Sequence, residues 1–200
     1  MFTGIIEALG KVTNIRREKG NIHLHIASPI SQELKIDQSV SHNGVCLTVV
    51  AVEQDTHIVT AIQETLNKTN LGQLQIGSSV NLERCMPATG RFDGHFVQGH
   101  VDQTGVCTYA SEENGSWRYT FTYDTALGNF TVEKGSIAVN GVSLTVVDSK
   151  VGEFSVAIIP YTYTHTTFHT IQVGDCVNLE FDILGKYIKR IMDSYIAITK

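Results

Sequence analysis

With 200 residues the chain suits one large domain or two of about 100 residues each, and 42% hydrophobic with 18% charged residues supply a packed core, which excludes wholesale disorder. The 15 basic and 20 acidic residues leave a net charge of -5, the wrong sign for the basic face that neutralises nucleic-acid phosphates. The opening MFTGIIEALGKVTNI has no charged region ahead of a long apolar stretch, and no run approaches the roughly 18 apolar residues of a spanning helix, so a soluble, unexported, cytoplasmic protein without a membrane partner is expected.

In chain order, TGIIEALG at 3–10 opens a series of short blocks rich in Val, Ile and Thr, bounded by Gly, Asn and Asp. That pattern predicts strands rather than helices. At Asn43-Gly44 two residues that tolerate positive φ precede the apolar run VCLTVV, which predicts a hairpin. The same sentence is then written twice. NGVCLTVV at 43–50 recurs as NGVSLTVV at 140–147, VNLE at 80–83 recurs at 177–180, Thr65, Thr69 and Gly77 match Thr162, Thr166 and Gly174, and TGIIEALG aligns loosely with QGHVDQTG at 98–105. A unit of about 95 residues therefore occurs twice, and several short strands per unit point to small closed barrels or sandwiches. The tail changes period: Leu184, Tyr187, Ile188, Ile191, Met192 and Tyr195 recur at helical spacing. Its apolar stripe is expected either to cap the second barrel or to join other subunits.

Familiar catalytic signatures are missing, including the G-x-S-x-G elbow, the P-loop, H-E-x-x-H and the dinucleotide-binding G-x-G-x-x-G. Cys46, Cys85, Cys107 and Cys176 form no C-x-x-C pair, so free thiols are expected rather than a zinc site or a redox dithiol. In GHFVQGH, His95 and His100 are five apart, which in an extended segment puts the rings on opposite faces, a poor metal geometry. Cys46 and Thr48 share one strand face, and Ser143 and Thr145 repeat the arrangement in the second unit. Small polar groups so placed can line a pocket, although strand threonines are common and a half-buried cysteine is usually inert.

MFTGIIE, the paired NGVCLTV and NGVSLTV, ETLNKTNLG, VNLER, GHFVQGHVD, KGSIAVNG and VNLEFDILGKY, in this order from Met1 to about Arg190, resemble the riboflavin synthase family. The resemblance implies an all-β chain of two tandem six-stranded Greek-key-type barrels, residues 1–95 and 96–182, with a C-terminal oligomerisation helix over 183–200. It implies a homotrimer without cofactor or metal, and lumazine synthase as a possible protein partner. The reaction implied is dismutation of two 6,7-dimethyl-8-ribityllumazine molecules into riboflavin and 5-amino-6-(D-ribitylamino)uracil by transfer of a four-carbon unit. Duplication suits it, because donor and acceptor are the same compound.

The acid–base groups carried over are Ser39, Cys46 and Thr48 from the first unit and His100, Lys134, Ser143, Thr145 and Asp182 in or after the second. Ligand contacts are assigned to the first barrel at Gly4, Ile5 and Ile6, at Cys46, Leu47 and Thr48, and at Thr60, Ala61, Ile62, Gln63, Glu64 and Thr65. Those assigned to the second are Gly99, His100 and Val101, then Lys134, Ser143, Leu144 and Thr145, and finally Ile159, Pro160, Tyr161, Thr162, Tyr163 and Thr164. Asn140, where Asp is frequent, and Tyr161 after Pro160, where His or Glu is frequent, depart from the family pattern. Two other classes compete: a lumazine-carrying antenna protein with the same double barrel, and a flavin-dependent reductase. The reductase would need a nucleotide-binding α/β domain, for which no segment is left.

Overall fold

The computed structural model describes residues 1–198 and contains two closed antiparallel barrels followed by one helix. The first barrel uses β1 (Ala8–Glu18), β2 (Asn21–Ala27), β3 (Ser39–His42), β4 (Val45–Glu53), β5 (Thr56–Ala61) and β6 (Ser79–Arg84), with α1 (Gln63–Lys68) between β5 and β6. The second uses β7 (Gln103–Glu113), β8 (Ser116–Tyr123), β9 (Ser136–Val139), β10 (Val142–Lys150), β11 (Glu153–Ile158) and β12 (Cys176–Phe181), with α2 (Pro160–His165) in the place of α1. The pairing order β1-β2-β5-β4-β3-β6 repeats as β7-β8-β11-β10-β9-β12. The expected fold class is therefore present.

Alternation decides which side chains enter each core. In β2 the residues Ile22, Leu24 and Ile26 point inward and their neighbours outward, as period 2 requires. Register shifts at Val12/Asn14 and Val49/Ala51 recur at Cys107/Tyr109 and Val146/Asp148, and such bulges add the bend and twist that closure needs. The two cores are filled differently. The first is packed with Val, Leu and Ile around a buried His42–His57 pair, and the second with Tyr119, Phe121, Phe154, Phe168 and Phe181.

Both Asn-Gly pairs form the β3–β4 and β9–β10 turns, with φ of 47° and 80° at Asn43-Gly44 and 46° and 79° at Asn140-Gly141. The turns meet each other between the barrels. A Cβ on Gly44 would lie 2.7 Å from the Gly141 nitrogen, and one on Gly141 2.6 Å from the Gly44 nitrogen, so only glycine permits this approach. Around them Asn81 Nδ2 donates to Asn140 O at 2.9 Å, and Asn178 Nδ2 donates to Asn43 O at 2.8 Å. Asn140 Oδ1 also accepts from the Asn178 backbone, and the residue is 5% exposed. The departure at Asn140 thus falls in the joint between barrels.

α3 (Ile183–Ile198) confirms the change of period, while residues 199 and 200 lie outside the described residues. Intramolecular capping is overturned. Leu184, Tyr187, Ile188 and Ile191 are 61–66% exposed, so the apolar stripe faces away from the second barrel. The helix is instead tethered by its polar side, where Lys186 Nζ donates to Asp102 at 2.8 Å. No helix among the described residues is long and apolar enough to cross a membrane.

Candidate functional site

The two barrels present matching outward strand faces, and each face is completed by a segment from the other barrel. Thr3 and Gly4 precede β1, but Gly4 O accepts a hydrogen bond from Ser143 N on β10 at 2.8 Å. Gly99, which precedes β7, accepts in the same way from Cys46 N on β4 at 2.9 Å. Between the two arms Phe2 and Val97 form an antiparallel bridge, 2.8 Å one way and 3.2 Å the other. Grouping Gly4 to Ile6 with the first barrel and Gly99 to Val101 with the second is therefore corrected: the arms are exchanged. The alignment of the repeats holds no sign of this, because each contact joins residues far apart in sequence.

Around Cys46 the exchanged arm creates a cleft of about 250 Å³ lined by Val45, Cys46, Glu64, Thr65, Lys68, Thr69, Gly99, His100 and Val101. Burial pushes the Cys46 thiol up, with the Ser39 side chain offsetting part of the effect, so at neutral pH it is a protonated, hydrogen-bonding thiol rather than a nucleophile. Ser39 on β3 pairs with Thr48 on β4, and also lines a neighbouring cavity with Arg84 and Cys85. Leu47 and Ala61 are buried in the core, and Thr60 Oγ1 is within 2.9 Å of His23 Nδ1. Ile62, Gln63 and Glu64 lie at the exposed start of α1.

At the second surface Ser143 Oγ lies 2.7 Å from His95 Nδ1, and burial holds that imidazole below its ordinary value, with Asp182 acting in the opposite sense. His95 thus belongs with Ser143 and His100 with Cys46, so the two rings serve different surfaces. Ile5 stands where the other arm has His100 and is 46% exposed; Ile6 packs on the second core. Leu144 also packs on that core, whereas Thr145 and Lys134 are exposed. Lys134 precedes β9 with its N–H on Val146 O. Ile159 and Pro160 lead into α2, where Tyr161 stacks on His165 at 4.0 Å and Tyr163 on Trp117 at 3.9 Å. Thr162 O accepts from Thr166, and Thr164 Oγ1 donates back to Pro160 O. Asp182 Oδ1 caps α3 through Leu184 N at 3.0 Å, which ties this candidate to the helix start.

Two residues with a clear part in building these surfaces were missed from sequence, Glu83 and Glu180. Each is 3% exposed and accepts backbone N–H groups of an arm. Their signal in the sequence is the repeated VNLE, which marks the repeat without assigning its glutamate a part. Among the described residues no three His, Cys, Asp or Glu side chains converge as a metal site would require.

The lumazine binding domain family matches the chain twice, at residues 3–85 and 98–182. The riboflavin synthase of Actinobacillus pleuropneumoniae is 41% identical over 194 residues, spanning 96% of this chain and 90% of that protein. That of Bacillus subtilis is 39% identical over 193 residues, with the same coverage of 96% and 90%. That of Mycobacterium tuberculosis is 42% identical over 202 residues, 97% of this chain and 99% of the relative. Among solved structures, LumP complexed with 6,7-dimethyl-8-(1'-D-ribityl) lumazine superposes with a TM-score of 0.82 at 21% identity, covering 90% of this chain and 98% of that one. LumP complexed with riboflavin gives 0.83 at 24% identity, over 90% and 99%. These two likenesses establish the shared fold.

Proposed function

The chain belongs to the riboflavin synthase family, and on that footing we propose that it converts two molecules of 6,7-dimethyl-8-ribityllumazine into riboflavin and 5-amino-6-(D-ribitylamino)uracil. The observation that carries this reading is the duplicated surface: Cys46 with Thr48, and Ser143 with Thr145, each roofed by the other barrel's arm. Two equivalent surfaces suit a reaction in which donor and acceptor are one compound. Holding both rings at reacting distance replaces a bimolecular encounter and supplies about 7 to 11 kcal/mol of the barrier. One lumazine then loses a proton from its acidic 7-methyl group while the other is attacked at carbon 7. His100 beside Cys46, and His95 hydrogen-bonded to Ser143, place a proton-transfer group at each surface. Lys134 and Asp182 flank the second surface, and the extended arms offer N–H and C=O groups to the pyrimidinedione edge.

The Cys46 cleft is open and smaller than the roughly 300–1,000 Å³ of sites that bury most of a ligand of this size, so one ring face stays uncovered until a second surface meets it. The covering surface is the other barrel of a neighbouring subunit in a cytoplasmic homotrimer, and the exposed stripe of α3 is the contact that assembles it. Replacing Leu184, Ile188 and Ile191 with Asp should shift sedimentation from trimer to monomer; a trimer that persists would overturn this role for the helix. The resemblance extends the proposal to lumazine synthase as a protein partner.

The activity is tested by incubating the protein with the lumazine alone, with no added cofactor. Riboflavin absorbance should grow until one riboflavin has formed per two lumazines consumed. A bound, spectrally shifted lumazine that never turns over would instead identify an antenna protein.

A further inference from the structure

The repeated VNLE ends in a glutamate in each barrel, and no step of the proposed chemistry uses either one. Glu83 on β6 accepts from Thr3 N at 2.6 Å, Thr3 Oγ1 at 2.7 Å and Gly4 N at 2.9 Å. Glu180 on β12 accepts from Gln98 N at 2.6 Å and His100 N at 2.9 Å. A buried carboxylate that receives only N–H and O–H donors makes charge-assisted bonds, stronger than those a neutral acceptor would make. Both glutamates hold an arm of their own barrel, yet the held residues do their work elsewhere. Gly4 O meets Ser143 N in the second barrel, and Gly99 O meets Cys46 N in the first.

We infer that Glu83 and Glu180 are positioning residues that latch the exchanged arms, so that each glutamate governs the ligand surface of the opposite barrel. Glu180, in the second barrel, sets the surface around Cys46; Glu83, in the first, sets the surface around Ser143. What the two arms deliver differs. The arm held by Glu180 brings the His100 imidazole to the Cys46 cleft, whereas the arm held by Glu83 brings the apolar Ile5. Loosening the first misplaces a proton-transfer group, and loosening the second misplaces a wall.

The catalytic consequence rests on the proposed function, but the latch does not, and the experiment separates the two. Peptide-resolved hydrogen exchange on the full chain, without ligand, compares Glu180→Gln and Glu83→Gln with the parent. In each variant one acceptor oxygen becomes an NH2 facing an arm N–H, and about a tenfold rise in exchange is expected where the arm docks. Glu180→Gln should speed exchange at Cys46 and leave Ser143 unchanged, and Glu83→Gln should do the reverse. With lumazine as substrate, Glu180→Gln should lower kcat by about tenfold and alter the acid limb of its pH profile, whereas Glu83→Gln should raise KM with kcat nearly retained. Exchange that rises only within the mutated residue's own barrel, or equally at Cys46 and Ser143, would overturn the latch. Should a Gln variant melt globally, Glu→Asp at the same position, which keeps the charge and retracts it by one methylene, is judged by the same crossed pattern. If the parent turns over no lumazine, the proposed function fails while the exchange pattern still decides the latch.

Discussion

Lowering the pH from 7 to 5 is expected to destabilise the first barrel by a few kcal/mol, on the order set by its buried histidine pair, for which the aromatic core of the second barrel has no counterpart. The cause is the His42–His57 pair, 0% exposed, with the two Nε2 atoms 2.8 Å apart. Val40 O can only accept, so His42 Nδ1 donates to it, His42 Nε2 accepts from His57 Nε2, and His57 Nδ1 accepts from the Ser31 hydroxyl at 2.8 Å. With both rings neutral every position in this chain is satisfied. Burial, and for His42 the neighbouring His57, lowers the two values from 6.5 to about 3 and about 4. Both histidines therefore take up protons in the unfolded chain first, so stability is complete above pH 6.5 and is lost as pH falls toward 4 and then 3. The equivalent positions in the second barrel are Val139 and Phe154. The double variant His42→Val, His57→Phe should therefore abolish most of the loss between pH 7 and 5, measured by urea unfolding of the first barrel. Trp117, the single tryptophan, lies in the second barrel and reports on that half separately. An acid slope in the double variant as steep as the parent's would remove the histidine pair as its source.

Gly99→Ala and Gly4→Ala are each expected to reduce kcat/KM for lumazine by at least about a hundredfold, the first mainly through kcat and the second mainly through KM, because a misplacement of about 1 Å at a reacting geometry is worth that much. Gly99 has φ of 78° and a Cβ there would lie 2.6 Å from Cys46 Cβ; Gly4 has φ of 79° and its Cβ would lie 2.6 Å from Ser143 Cβ. The backbone conformation disfavours any side chain, and the collision is with the strand that carries the site. The arm must lift from the opposite barrel. Each variant should show weakened ligand binding at the surface its arm completes, with the barrels still folded by circular dichroism. Near-normal turnover in either would show that close arm contact is dispensable.

The repeat, the strand blocks and the two Asn-Gly hairpins were legible in the sequence because each rests on local rules: identical strings, period 2, and residues that accept positive φ. The arm exchange was not. Ser143 N and Gly4 O meet across more than half of the chain, and nothing in the spacing of TGIIE or QGHVD states which barrel each will touch. The stripe on α3 was visible as a stripe, but periodicity reports that a face is apolar and not what covers it. In THIVTA the structure turns His57 inward with Val59 and Ala61, a polar group at a core position, whereas the sequence leaves the choice of face open because Ile58 is apolar on the other side. Its partner His42 comes from another strand, so the pair needed the barrel to appear. Of the candidate site, Cys46 with Thr48 and Ser143 with Thr145 could be read from the repeat, whereas His95 meets Ser143 across the halves and Glu83 and Glu180 each hold an arm of their own half, contacts that only the folded chain brings together.

In the proposed reaction two lumazines meet between a first-barrel surface and a second-barrel surface of different subunits, and mixing the two arm variants decides whether they do. A Gly99→Ala chain has a damaged Cys46 surface and an intact Ser143 surface, and a Gly4→Ala chain has the opposite. After subunit exchange some Cys46 surfaces from Gly4→Ala chains must face Ser143 surfaces from Gly99→Ala chains, and riboflavin formation should reappear well above the sum of the separate variants. If exchange is verified and the mixture stays as inactive as its components, the reaction does not take place between subunits.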